Sequence, residues 1–218
     1  MENVKRSKYD VFYECFWIFM FGCVFGTIWE VFNHFIHHGT LVSRSALIYG
    51  PFNPVYGCGA LIFMLIVKIK NPIKIYLSGM VLGGLCEYIC SFVQEKVFGT
   101  VSWNYSNKFL NIGGRTSLFY MLFWGLLALF FVKRIYPHLS NLIKAYTFKY
   151  SDIVTFCFLA FMCFNCIISV GACMRQKERA DGLKASNGVE AFLDKHYPDE
   201  RLDRIYQNSV SVDTKKSE

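Results

Sequence analysis

Apolar residues crowd into a few long windows along this chain, with short polar connections between them. Phe12 to Ile36 forms the first window, Ile75 to Val93 the third, Thr116 to Ile135 the fourth and Ile153 to Cys173 the fifth. A helix crossing ~30 Å of hydrocarbon needs ~20 residues, so each window suits a transmembrane helix. The second window is different. From Ala46 to Gly59 it is apolar, but Pro51, Pro54 and several glycines interrupt it. Pro54 removes a backbone donor and disfavours helix just before it, so continuous helix is predicted only from Val55 to Ile69. The part before Val55 reads as a broken or re-entrant entry, which membrane depth tolerates only under a cover of protein or water. The pattern predicts an all-α integral membrane protein, a polytopic bundle of about five transmembrane helices. A sixth crossing would be needed if residues 94–115 conceal one.

The same pattern divides the chain. Residues 1–10 form a polar amino terminus, 11–137 a membrane core, 138–150 a connection, 151–174 the fifth transmembrane helix and 175–218 a polar tail. In the tail, Glu190 to Tyr197 is predicted as a short helix stopped by Pro198.

Charge then sets orientation. Lys5, Arg6 and Lys8, then Lys68, Lys70 and Lys74, then Lys133, Arg134, Lys144 and Lys149 fall on one side of a five-span chain. Arg44, Lys96, Lys108 and Arg115 fall on the other. The positive-inside rule therefore predicts a cytoplasmic amino terminus in a cell membrane. The net charge of +7 is a topological signal, because there is no basic stripe with interleaved aromatics and no nucleic-acid motif. No cleavable leader is expected, since the first apolar run is long and lacks a small-residue cleavage site. The Cys163-Phe-Asn-Cys166 spacing, inside a span, points to packing before redox chemistry.

Two polar rows stand out within the apolar windows. Gly22, Gly26 and Glu30 recur in steps of four, and so do Gly79, Gly83, Glu87, Ser91 and Glu95. Steps of four share one helix face. Gly39-Thr40, Arg44 and Tyr49 follow the first row in the order in which Gly99-Thr100, Arg115 and Tyr120 follow the second. This suggests a parallel repeat of 11–72 and 73–137, as in some transporter halves, against the alternative of chance recurrence. An ionised carboxylate inside a span costs at least ~2.5 kcal/mol, so Glu30 and Glu87 must face protein, water or a partner. They are either a substrate, proton or ion site, or halves of Glu–Arg pairs that fix helix order. Arg44 and Arg115 are the natural partners, since arginine grips carboxylates and phosphates in a fork. Either arginine could instead reach to headgroups. The aromatics Tyr49, Tyr56, Trp103 and Tyr105, with Asn111, form either an interfacial belt or a lid over the site. His34, His37 and His38 lie near Glu30, but no zinc-binding motif accompanies them and no metal site is expected.

There is no P-loop, dinucleotide loop or G-x-S-x-G element, and no cofactor is expected. Trp29-Glu30, Tyr49-Gly50-Pro51, Pro54-Val-Tyr56-Gly57, Glu87-Tyr88, Trp103-Asn-Tyr105-Ser106, Leu110-Asn111 and Gly114-Arg115 together resemble the ABC-transporter type IV family of bacterial membrane proteins. The likeness covers residues 15–135, leaving the fifth span and the tail outside, and Asn104 stands where the family pattern has Asp. The resemblance implies a permease powered by a separate ATPase or partner subunit. The residues themselves imply a polar site for a small or lipid-derived anionic substrate. It would be built from Glu30, Arg44, Tyr49, Tyr56, Glu87, Trp103, Tyr105, Asn111 and Arg115. The alternatives are an intramembrane enzyme on a lipid-linked phosphate, with a glutamate as base, and a structural subunit.

Overall fold

The computed structural model describes residues 8–145 and 151–211, so Lys5, Arg6 and Lys149 of the charge count lie outside it. Four helical stretches are long and apolar enough to cross a membrane: Asp10–His38, Pro72–Phe98, Leu118–Ala145 and Ser151–Ala180. The protein is an all-α polytopic membrane protein.

Helix α1 (Lys8–His38) carries Asp10 in its first turn and His37 and His38 in its last, charges that suit the helix dipole. Helices α2 (Pro54–Met64) and α3 (Pro72–Phe98) open with the same device, an asparagine cap followed by proline. Asn53 Oδ1 accepts from the Val55 N–H, and Asn71 Oδ1 from those of Ile73 and Lys74. Proline fits the first helical position because its missing donor would be unsatisfied there anyway. Helix α3 ends at Gly99, whose φ of 67° makes a left-handed cap.

A loop holding β1 (Thr100–Val101), β2 (Asn111–Ile112) and β3 (Thr116–Ser117) leads into α4 (Leu118–Phe130). The fourth span does not stop at Ile135 as expected. A π-turn over Phe131–Ile135 passes into α5 (Tyr136–Ala145). Pro137 lacks an N–H, and the widened turn just before it lets the helix continue through the gap.

Helix α6 (Ser151–Ala180) follows, then α7 (Gly188–His196), α8 (Asp199–Ile205) and β4 (Val210–Ser211). Pro198 stops α7 as expected. It also starts α8, which was not expected, because its carbonyl accepts from the Arg201 and Leu202 N–H groups. Strand β4 pairs antiparallel with β1, and β2 with β3.

The second passage is broken, as its prolines predicted. The Asn53 N–H donates to the Cys23 carbonyl, halfway along α1, at 3.1 Å. Residues 46–53 therefore reach mid-depth as loop, and α2 completes the passage along α1. Helix α2 stops at Met64 rather than Ile69, since the Leu65, Ile66 and Val67 N–H groups turn back to carbonyls three residues earlier. The loop is covered by α6. Asn165, fully buried, donates to the Tyr49 carbonyl at 2.7 Å and accepts from its N–H at 3.1 Å. Ser169 accepts from the Ile48 N–H at 3.0 Å. Irregular backbone at this depth needs such partners, because lipid supplies none.

The main core lies where α2 meets α3 and α4, around Ala60, Phe63, Ile75, Ala128 and Phe131. Large apolar side chains such as Phe25, Phe32, Leu85, Phe123 and Ile167 are exposed, the arrangement expected of surfaces facing lipid. A smaller core of Ala172, Leu193, Tyr197 and Leu202 seats the tail on the end of α6. Arg175, 3% exposed, and Arg179 hold that tail through Asp194 and Asp199.

Candidate functional site

The glycine rows are packing faces. A Cβ at Gly26 would run into the Tyr56 ring, and one at Gly22 would lie 3.0 Å from the Gly57 backbone, so α1 presses against α2. A Cβ at Gly79 would overlap Ala128, and one at Gly83 would lie 2.5 Å from the Trp124 side chain, so α3 presses against α4. Small residues permit this approach. One turn further along each row stands a glutamate.

Glu30 is half-buried and accepts from the Tyr56 hydroxyl at 2.6 Å. Glu87 is 6% exposed. It accepts from the Thr116 hydroxyl at 2.7 Å and from Tyr105 at 3.2 Å. Each glutamate thus accepts from a tyrosine of its own, and both belong to one groove. Burial, and next the Glu87 carboxylate, raise the Tyr105 phenol above its ordinary range, so it remains a proton donor to Glu87.

The groove measures about 2580 Å³. Helices α1 to α5 and the end of α6 all contribute to its lining. It runs from His34 and Arg44 at one end to Arg134 and His138 at the other. Glu30, Tyr56, Glu87, Trp103 and Tyr105 all line it. Exposed Phe25 and Trp29 on α1, and Phe119 and Phe123 on α4, stand along its sides, so it opens towards lipid. Pockets for compact ligands measure ~300–1,000 Å³. This one has room for an elongated molecule.

The arginines do not join the carboxylates as expected. Arg115 pairs with Glu95 at 2.7 Å, reaches Ser91 at 3.4 Å and lies over the Phe92 ring at 5.4 Å. It does not line the groove. The physical reason is register: Ser91 and Glu95 continue the face of Glu87 by one and two turns, and Arg115 enters at their level. Arg44 lines the groove and donates to His34 Nδ1 at 2.7 Å. An accepting Nδ1 makes His34 neutral with its proton on Nε2, which then donates to Thr40 at 3.3 Å. Arg44 Nε is buried with no hydrogen-bond partner among the described residues.

Tyr49 and Asn111 also stand away from the groove. Tyr49 is tied to α6 through its backbone and to Tyr197 through a 2.7 Å hydroxyl contact. Asn111 braces the loop by accepting from Gly114 N–H and donating to the Ser106 and Lys108 carbonyls. Gly113 and Gly114 have φ of 58° and 68°, and a Cβ on Gly114 would lie 2.5 Å from Ser106 Oγ. These glycines therefore shape the turn rather than admit a ligand. Asn104 accepts from the Ser106 N–H and hydroxyl, a turn-forming role that needs no charge. The Trp103 indole donates to the Arg115 carbonyl. The loop as a whole positions Tyr105, stacked on Tyr120 with centroids 4.0 Å apart, over Glu87.

Residues 17–170 match the family model described as "Putative ABC-transporter type IV". The chain belongs to this family. Membership of the type IV family takes in most of α6, beyond the residue 135 where the sequence likeness was expected to end. It therefore includes Asn165 and Ser169, which satisfy the broken loop. It makes the chain a transporter-like membrane protein. No curated protein and no solved structure matches it.

Some groups were missed from sequence. Glu14, 4% exposed, accepts from the Ser140 hydroxyl of α5. It lies four-step behind Ile18, Gly22, Gly26 and Glu30, and extending the row backwards would have found it. Arg175 was assigned to the polar tail, yet α6 continues past it. Its spacing from Arg179 on one helix face was the available signal. Among the described residues no cluster of His, Cys, Asp and Glu is grouped to hold a metal ion. Cys163 is exposed and Cys166 half-buried on α6, and all nine cysteines are unpaired.

Proposed function

We propose that this chain is the membrane-embedded, permease-like part of a transport system. In this reading its groove takes a small or lipid-derived molecule, with Glu30, Tyr56, Glu87 and Tyr105 as the polar contacts. The observation that carries the reading is a groove running the length of the spans with two carboxylates turned towards it. Carboxylates in a span are costly, and a scaffold would close them into ion pairs. The enzyme alternative asks Arg115 to hold a phosphate, and its contact with Glu95 weighs against that.

The same reading takes α1/α2 and α3/α4 as parallel copies of one unit, since Gly26 on Tyr56 and Gly83 on Trp124 are equivalent contacts. It sets the end that carries His38, Gly99 and the tail on the outer side of the cell membrane, with the amino terminus in the cytoplasm. Without a P-loop, the driving energy comes from a separate ATPase subunit or an ion gradient.

The test is accessibility. In a cysteine-free chain bearing Glu30→Cys, a small thiol reagent applied to intact cells and to inverted vesicles should label the site from at least one face. Blocked labelling from both faces would contradict a permease.

A further inference from the structure

We propose that the groove selects a molecule carrying an ammonium group, which docks between Glu30 and Glu87. This rests on the permease reading above and names the chemical class of its substrate.

Three observations carry it. First, the protein cations that line the groove, Arg44, Arg134 and Lys177, do not pair with its two carboxylates among the described residues. Among the described residues neither Glu30 nor Glu87 has an ion pair, because Arg115 is held by Glu95 and Arg44 is turned to His34. Among the described residues the donors to the two glutamates are neutral hydroxyls. Second, one Glu30 oxygen takes the Tyr56 hydroxyl, while no described residue donates to the other. That oxygen is available to a ligand in the groove. Third, the site is walled by rings. Tyr56 and Trp124 have centroids 6.4 Å apart, and Tyr105 stacks on Tyr120 beside them. A cation meets the negative faces of such rings favourably, most strongly when desolvated. An anion would meet two carboxylates and the same ring faces. Carboxylates without a protein cation need one from a ligand, and an ammonium supplies both the charge and several donors. The exposed apolar rings along the sides leave room for a hydrocarbon portion.

The ammonium can belong to a soluble amine or to an amine-headed lipid. Titration calorimetry of the purified protein in a neutral detergent, with hexylammonium, hexanoate and hexanol, tests the class. Native mass spectrometry with phosphatidylethanolamine and phosphatidylglycerol distinguishes the source. Hexylammonium is expected to bind at least ~10-fold more tightly than hexanol or hexanoate. Retention of phosphatidylethanolamine over phosphatidylglycerol would then assign a lipid source, and its absence a soluble one. Glu30→Gln should weaken hexylammonium by ~10-fold and leave hexanol unchanged. The half-buried Glu30 serves as the first variant, and Glu87→Gln as the second if it folds. Equal binding of hexanol and hexylammonium overturns the ammonium proposal while leaving a groove that binds. Preference for hexanoate overturns it in favour of the arginines. No binding by any of the three overturns the permease site as well.

Discussion

The α1/α2 pair and the α3/α4 pair use the same parts and finish them differently. Each has two glycines in contact with a partner helix, an aromatic ring against the second glycine, and a glutamate one turn on. Glu87 is closed in by two donors, and its nearby arginine is occupied by Glu95. Glu30 has one donor, is half-buried, and its nearby arginine keeps an unpartnered Nε. The helix that follows differs as well. Helix α4 begins near the level of Glu87, through Thr116, whereas the passage beside Glu30 is loop until Asn53. On the proposed reading the closed unit would anchor a ligand and the open unit would receive it. A site that must hold and release a ligand benefits from such a division, because a fixed half orients what an adaptable half grips.

The largest expected difference between the pairs lies in their helix contacts. Gly79→Val drives a side chain into Ala128, a residue too small to move aside. Overpacking of this kind costs ~1–3 kcal/mol or more, and loss of the folded, monodisperse protein in size-exclusion chromatography is expected. Gly26→Val meets the Tyr56 ring, which can swing into the groove, so that variant should survive with a lower melting temperature. Equal damage would erase the distinction between a closed and an open pair.

Next comes the broken passage, which has no counterpart in the second pair. Asn165→Leu strands the N–H and carbonyl of Tyr49. Buried groups left unsatisfied cost about 1–3 kcal/mol. Thermal unfolding should shift down, with hydrogen exchange rising first over residues 46–53.

The tyrosines give a smaller and sharper contrast. Tyr56→Phe takes the sole described donor from Glu30, whereas Tyr105→Phe leaves Glu87 with Thr116. A hydrogen bond to a charged group contributes about 1.5–3 kcal/mol. Hexylammonium affinity measured by calorimetry should therefore change more in Tyr56→Phe.

The tail, which touches the first pair through Tyr197 on Tyr49 and the second through β4 on β1, offers the mildest perturbation. Arg175, above all, holds the Asp194 carboxyl below its ordinary range. A carboxyl depressed in the folded state contributes stability that is present above its unfolded pKa of ~3.9 and is lost as pH falls through the lower folded value. Glu190 is depressed likewise by the Ser186 N–H. Limited proteolysis of the tail should be unchanged from pH 7 to 5 and increase below pH 4.

Much of this architecture was legible in the chain. The apolar windows marked the spans, Pro54 marked the broken passage, and the steps of four marked both glutamates and the faces that carry them. Periodicity reports which residues share a face, and it did so correctly for Gly79, Gly83 and Glu87. It does not report which neighbour arrives at which level. That is why Arg115 was assigned to Glu87 when Glu95, two turns on along the same row, takes it. Asn165 was silent for a related reason. A lone asparagine in an apolar helix acquires meaning only when an irregular loop 116 residues away needs its donor and acceptor. The π-turn escaped because Lys133, Arg134 and Pro137 look like an ending, and only tertiary packing of α5 against α1 carries the helix on.

The most direct measurement is a cryo-electron microscopy structure of the protein extracted in mild detergent from its own membrane. Density for a bound molecule is expected in the groove, touching Glu30 and Glu87 beside Tyr56 and Tyr105. Density gripped by Arg44 and Arg115, with both carboxylates turned away, or α1 packed directly on α4 with no groove between them, would contradict it.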